Sequence, residues 1–332
     1  VEMTIAELVV IVAWVLLWSW VYTKIYPPRR MLLVYGGKPP KNLVGKLHSR
    51  KDKYQVCEMI SAQKGTDIVC RRIDRYENVV LCDMPLEIQS SIVEYCFQHS
   101  IRSYIIPKIT DIMLLGAEQI HLFDTPILLL RNQGLGVEQV IVKRFMDLVI
   151  SFLMLILASP LMLLIALCIK AQDGGPVIYK QKRLTKDGKE FDIYKFRSMR
   201  TDSERSGARL AQKGDRRVTL VGKVIRNLHF DELPQLFHIL KGDMSLVGPR
   251  PERPEIAEQY RKQVPEFEFR LKVKAGLTGY AQVYGKYNTT PEDKLKLDLF
   301  YIEHYTVWMD MKLLLLTFKI LFQKENTEGI EN

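Results

Sequence analysis

With 332 residues, 47% of them hydrophobic, the chain is long enough for two folded units and too apolar to be disordered. Its 48 basic against 38 acidic residues leave a net charge of +10, which suits anionic lipid head groups, phosphorylated ligands or nucleic acid. Cys57, Cys70, Cys82, Cys96 and Cys168 show no CxxC spacing and the histidines no HExxH pattern, so buried thiols in a reducing cytoplasm are expected rather than disulfides, a zinc site or another transition-metal centre.

The chain opens with an apolar run from Ile5 to Tyr26, broken only by Glu7 and Lys24, in which Trp14, Trp18, Trp20, Tyr22 and Tyr26 are placed like interface anchors. Residues 1–28 therefore read as a transmembrane helix. Lys24, Arg29 and Arg30 follow it, which puts the next segment in the cytoplasm by the positive-inside rule. No basic region precedes the run and no small-residue cleavage site follows it, so a signal peptide is not expected. Opening on Val rather than Met leaves room for further membrane segments ahead of this one. Membrane segments favour lipid over nucleic acid as the anionic partner.

Residues 31–35 read as a buried strand closed by Gly36 and Gly37, and residues 41–49 as a helix. Strands over 78–82 and 103–106, a helix over 86–99 and a strand region over 120–130 continue the alternation. That order predicts a small, Rossmann-like parallel α/β domain over residues 29–131. Gly36 and Gly37 are followed by a lysine and two prolines rather than the GxGxxG fingerprint, so a structural or regulatory role is favoured over dinucleotide binding.

A linker is expected over 132–142. Beyond it, Lys143, Arg144 and Asp147 lead into an apolar run from Leu148 to Ile169 with Ser159 and Pro160 at its centre. The run is long enough to span, but basic residues flank both ends, so residues 143–172 are read as a re-entrant membrane helix hairpin, with a Pro-kinked spanning helix as the alternative. Pro160 leaves the Ile156 carbonyl without its helical donor, and the Ser159 hydroxyl can reach back to it. Residues 173–323 then form a basic, turn-rich catalytic domain. It has strands over 177–181 and 191–196, a polar flap over 201–217, and helices over 222–227, 232–240, 253–263 and 291–305. The segment 307–322 is too short to span and reads as an interfacial helix, or alternatively a buried core helix. Residues 324–332 read as a disordered tail.

Arg226 to Pro251 carries the chemistry. Asp231 is placed to cap a helix begun by Glu232, Pro234 falls in the first turn, and Lys241 and Gly242 end it. A helix N-terminus keeps a carboxylate ionised and attracts phosphate, so Asp231, flanked by Arg226 and Arg250, is a candidate nucleophile at a phosphate.

These residues bring a family into view. Lys143, Arg144 and Asp147, Ser159 and Pro160, and the blocks 175–183, 194–199, 231–236, 241–251 and 276–285 together resemble the catalytic unit of the bacterial sugar transferases, the monotopic phosphoglycosyl transferases. The front half resembles their large branch, in which a membrane bundle and a Rossmann-like domain come first. The resemblance implies transfer of a hexose 1-phosphate from a UDP-sugar, UDP-glucose or UDP-galactose first, to undecaprenyl phosphate, with release of UMP. It further implies an aspartyl phosphosugar on Asp231, with Glu232 as partner and Mg²⁺ held by both carboxylates. Lys195, Arg197, Arg226 and Arg250 would bind substrate phosphates, and Lys143 and Arg144 the lipid phosphate or head groups. Gly276, Gly279 and Gly285 would form turns at the donor site.

The expected place is the cytoplasmic face of a bacterial inner membrane, at the first membrane step of exopolysaccharide or capsule synthesis, with membrane lipids as partners and a homo-oligomer open. The fold class expected is thus an α/β membrane protein with a transmembrane helix, a Rossmann-like domain and an α+β catalytic domain. Two rivals remain: an inactive scaffold of the assembly machinery, and a membrane-tethered nucleotide-sugar dehydratase or epimerase, which would need the dinucleotide fingerprint.

Overall fold

In the computed structural model, residues 2–130, 134–200, 217–285 and 289–321 are described, and they divide between Lys108 and Ile109 into two compact units. The first holds α1 (Glu2–Ile25), β1 (Arg29–Tyr35), α2 (Lys41–His48), β2 (Tyr54–Ser61), α3 (Thr66–Ile73), β3 (Asn78–Cys82), α4 (Leu86–Gln98) and β4 (Arg102–Ile105). The strands form a parallel sheet in the order β2-β1-β3-β4. Alternate residues of a strand face opposite sides, so Leu32, Val34, Val79 and Leu81 pack with Val69, Ile73 and Ile92 on one face. Met31, Leu33 and Val80 meet Leu43 and Val44 on the other.

The strand order reverses between β1 and β3, where doubly wound sheets commonly open a ligand crevice. Here the loops close on each other: a Cβ on Gly36 would sit 2.3 Å from the Asp83 carbonyl oxygen, so the glycine permits their contact. β2 and α3 escape the sequence reading because β2 alternates half-buried and exposed residues, Glu58 among them, without an apolar run.

The second unit begins with α5 (Ile109–Leu115) and an antiparallel hairpin, β5 (Glu118–Leu122) and β6 (Thr125–Leu129). The boundary expected at 131 is therefore too late. Buried Ile112 joins the core of the second unit with Leu295 and Leu299, and the 120–130 region is a separate hairpin rather than a strand of the parallel sheet.

Next come α6 (Val137–Asp173), the hairpin β7 (Ile178–Leu184) and β8 (Glu190–Phe196), α7 (Leu220–Asn227), a 3₁₀ turn (Phe230–Gln235), α8 (Leu236–Lys241) and β9 (Met244–Val247). Then follow α9 (Pro254–Gln263), a second 3₁₀ turn (Pro265–Lys272), β10 (Ala275–Thr278) parallel to β9, α10 (Tyr280–Tyr284), α11 (Pro291–Glu303) and α12 (Val307–Leu321). Leu236, Ile239, Met244, Leu246, Phe267 and Leu313 centre its core. The expected flap lies outside the described residues apart from Arg217, as does the expected tail.

α6 starts inside the expected linker and runs as one helix of 37 residues through Pro160, rather than as two helices separated at Ser159. Ser159 Oγ donates to the Ile156 carbonyl at 2.8 Å, supplying the bond that the proline cannot. Among the described residues α6 is the one helix long and apolar enough to cross a membrane by length and composition. Phe152, Leu153, Ile156, Leu157, Leu163 and Leu164 are each at least 54% exposed. Both ends are nevertheless fixed to the same unit: Asp147 binds Ser245 and Leu246, while Ile165 and Ile169 pack with Phe196 and Ile225.

α12 combines the two roles weighed for it. Leu313 and Asp310 are buried, whereas Trp308, Leu315 and Phe318 are 80%, 70% and 66% exposed.

Candidate active site

Asp231 and Glu232 lie inside the first 3₁₀ turn, not at the cap and first position of an α-helix. Pro234 lacks the N–H that an α-helical bond to the Phe230 carbonyl would use, and the chain takes shorter-range bonds such as Glu232 N–H to His229 O at 3.2 Å. His229 opens the turn at φ 57°, and the α-helical ladder starts only at Leu236. At its far end the expectation holds, because Gly242 closes α8 at φ 99°.

The two carboxylates have opposite surroundings. Glu232 Oε1 accepts from Lys195 Nζ at 2.5 Å and from Arg250 Nη2 at 2.8 Å. Burial would raise its pKa, but the Arg250 and Lys195 charges outweigh that and hold it well below the usual carboxylate range. Among the described residues no hydrogen bond or ion pair engages the Asp231 carboxylate. Burial pushes its pKa up against the pull of Lys195, the neighbouring Glu232 adds to the rise, and Arg226 and His229 draw it back. A carboxylate held by two cations at one oxygen thus stands beside an uncommitted one, and that division suits a site that keeps one acid in place and lets the other react.

The backbone around Arg250 is gripped from behind. Arg270, 2% exposed, donates Nη2 to the Arg250 carbonyl at 2.9 Å and pairs with Asp298 at 2.8 Å. Arg183 Nη1 donates to the Pro251 carbonyl at 3.0 Å, and Glu252 pairs with Lys294. On the other side of the pair, His238 Nε2 accepts the Tyr194 N–H at 3.2 Å and so fixes β8 one residue from Lys195. Burial lowers the His238 pKa, which keeps that nitrogen an acceptor. Arg270 and Lys294 escape the sequence reading because they lie far from the 226–251 motif along the chain, and nothing in their spacing marks them.

Other expected site residues are placed differently. Arg197 is 7% exposed and pairs with Asp173 at the end of α6, and among the described residues its Nε and Nη1 have no partner and none of its bonds reaches the Glu232 cluster. Lys143 and Arg144, expected at the lipid phosphate or head groups, both have partners within the second unit. Lys143 is buried against Asp310 at 2.5 Å, and Asp310 also accepts from Tyr301 OH at 2.8 Å. Arg144 donates to the Ile239 and Leu240 carbonyls at 2.6 and 2.8 Å, at the end of α8 where carbonyls lack helical donors.

The expected glycine turns are close backbone approaches. A Cβ on Gly276 would lie 2.1 Å from Gly248 N, one on Gly279 2.0 Å from Gly248 O, and one on Gly285 2.2 Å from Ala281 O. Gly276 itself is within β10. Arg226, in the last turn of α7, does belong with Asp231, which feels its charge. No group of three or more His, Cys, Asp or Glu is gathered among the described residues, so a metal there would have at most the two adjacent carboxylates.

The family model for bacterial sugar transferases matches residues 138–324, the stretch that contains all but the first residue of α6, both carboxylates and the network behind Arg250. The chain belongs to this family. A UDP-N-acetylgalactosamine-undecaprenyl-phosphate N-acetylgalactosaminephosphotransferase of Aeromonas hydrophila is 44% identical over 183 residues, 54% of this chain and 43% of that one. A UDP-glucose:undecaprenyl-phosphate glucose-1-phosphate transferase of Klebsiella pneumoniae is 39% identical over 217 residues, 64% of this chain and 47% of its own. The match to an undecaprenyl-phosphate glucose phosphotransferase of Komagataeibacter xylinus, 31% identical, extends over 88% of this chain and 58% of that protein. The chain thus spans about half the length of these curated relatives.

Proposed function

We propose that this sugar transferase moves a hexose 1-phosphate from a UDP-sugar to undecaprenyl phosphate, releasing UMP, in two displacements. Asp231 attacks the sugar-bearing phosphorus, the bond to the bridging oxygen breaks, and UMP leaves with the electron pair. A phosphate oxygen of undecaprenyl phosphate then attacks the same phosphorus and returns the Asp231 carboxylate. The observation that carries this reading is the contrast between uncommitted Asp231 and doubly paired Glu232. Lys195, Arg226 and Arg250 stand where cations are needed to offset charge on the transferring group. Arg197, two of whose buried donors have no partner among the described residues, would bind a phosphate of a donor that reaches the end of α6.

Asp231 and Glu232 also fit Mg²⁺, which binds one or two carboxylates together with substrate phosphates and water. When bound, it would neutralise charge on the diphosphate. Every other role falls to the side chains: Glu232 is held in place by its two cations, and Asp231 is presented for attack.

A membrane position is supported by the exposed apolar middle of α6. At 1.5 Å per residue a straight helix of this length would reach about 55 Å, whereas Asp147 near one end and Asp173 at the other are tied to one compact unit. Entry and return at one face accounts for both, with α1 spanning and Trp308, Leu315 and Phe318 resting in the interface. By the positive-inside rule Lys24, Arg29 and Arg30 favour the cytoplasm for the segment that follows α1, which suits a first membrane step of exopolysaccharide or capsule synthesis on that side.

The direct test incubates the protein in nanodiscs with Mg²⁺, undecaprenyl phosphate and UDP-glucose, UDP-galactose or UDP-N-acetylgalactosamine. UMP release with at least one donor, and a donor-dependent mass increase on Asp231 without acceptor, are expected. A mass increase at another residue, or product without any enzyme-bound phosphosugar, would overturn the mechanism.

A further inference from the structure

All four strands of the first unit are parallel, so their starts share one end of the sheet, and that end is also where the chain arrives from α1. We infer that this end is a docking surface for anionic phospholipid head groups, which it meets where α1 leaves the bilayer. The inference rests on the reading of α1 as a membrane span and adds which face of the α/β unit the bilayer touches.

Charge is sorted between the two ends of the sheet. At the strand starts, and at the end of α3 that adjoins them, stand Arg29, Lys51, Lys53, Arg71, Arg75 and Arg102, all of them exposed and, among the described residues, none of them in an ion pair. Few acids answer them. Asp52 is taken by Arg50 at 3.1 Å and Asp74 by the Tyr95 hydroxyl at 2.6 Å, which leaves Glu77. At the opposite end Lys38, Lys41, Lys64 and Lys108 stand among Asp67, Asp83 and Glu87, close to balance. Only the first end carries an excess. A basic residue in the last turn of a helix is ordinary, because it offsets the negative end of the dipole, but that effect fades beyond the turn. It accounts for Arg71, in the last turn of α3, and not for Lys53 or Arg102 at the starts of β2 and β4.

Distance decides the partner. Tyr26, Pro27 and Pro28 alone separate α1 from β1, at most about 10 Å of chain. Arg50 is within electrostatic reach of Tyr22, so this end of the unit lies beside the last turns of α1. The potential of an anionic leaflet falls off over a Debye length, about 8 Å in physiological salt. The basic end therefore stands in or at the edge of that field, whereas a nucleic acid would have to share the same narrow gap with the bilayer. Along β1 the opposite end is seven residues away, about 23 Å at ~3.3 Å each.

The test uses the full chain in nanodiscs of phosphatidylcholine, with or without phosphatidylglycerol, and follows by mass spectrometry how fast an amine-acetylating reagent modifies each lysine. Phosphatidylglycerol should slow labelling of Lys51 and Lys53 by about threefold or more while Lys38, Lys41 and Lys64 stay within about 1.5-fold, and high salt should erase the difference. Combining Arg71→Gln, Arg75→Gln and Arg102→Gln, all at exposed positions, should cut the slowing by about half or more. Equal rates in the two lipids, or equal slowing at both ends of the sheet, would overturn the inference. So would protection of Lys51 and Lys53 by added RNA but not by phosphatidylglycerol. Three of the four tryptophans lie in α1; if brominated acyl chains leave tryptophan fluorescence unquenched, the membrane reading of α1 falls instead, and the surface with it.

Discussion

The two units solve the problem of a stable interior in different ways. In the first, the sheet is held by aliphatic side chains on both faces, and β3 is buried from end to end. In the second, an apolar core is threaded by buried ion pairs, Lys143 with Asp310 and Arg270 with Asp298, each linking segments distant in sequence. Aliphatic packing gives stability without much directional control, whereas a buried charge tolerates few geometries because a misplaced partner leaves it unpaired. The difference suggests where position matters most: Arg270 fixes the backbone that carries Arg250, and Arg250 fixes Glu232.

That contrast can be broken by substitution. The largest effect should come from Asp231→Asn, which removes the attacking oxygen's charge and should lower UMP release by about 10³-fold or more with little change in Tm; retained turnover would reject Asp231 as the nucleophile. Arg270→Met should cost about 3–5 kcal/mol by stranding Asp298, and should lower activity in the fraction that remains folded because Arg250 loses its support. Denaturant unfolding together with rate per folded molecule checks both parts. Leu32→Ala in the first unit should cost about 2–5 kcal/mol by leaving a cavity, with transfer per folded molecule unchanged; a matching loss of rate would show that the aliphatic core also controls the chemistry.

The smallest effect is the pH response. Glu252 is held down to about 2, its burial outweighed by Lys294 and Arg270. A depressed folded-state pKa contributes stability above the unfolded-state value, near 4.3, and that contribution falls away as pH drops toward about 2. Glu252→Gln should therefore flatten the acid limb of stability against pH between those values, and an unaltered limb would assign it to other groups.

Much of this was legible before any coordinates. Continuous apolar runs located β1 and β3, and the lysine and glycine after Leu240 marked where α8 stops. The acidic pair stood out because two carboxylates followed by a proline are rare company for flanking arginines. What sequence could not give was depth. Lys143 and Arg144 read as ligands of a lipid phosphate or head group and Arg197 as a ligand of a substrate phosphate, yet each finds a partner inside the second unit through contacts between remote segments. Gly276 and Gly279 looked like turn formers for the same reason: the backbone of Gly248 that crowds them lies about thirty residues earlier in the chain.

Phe230 and Leu233, on either side of the two acids, share one apolar cluster with Leu161 and Ile165 of α6. The reactive turn and the far half of that helix are consequently one mechanical part. On the proposed reading, the depth to which the helix settles among acyl chains sets the height at which Asp231 meets a lipid phosphate, and altering the helix length beyond Pro160 would retune the enzyme to a bilayer of different thickness without touching a single reacting atom.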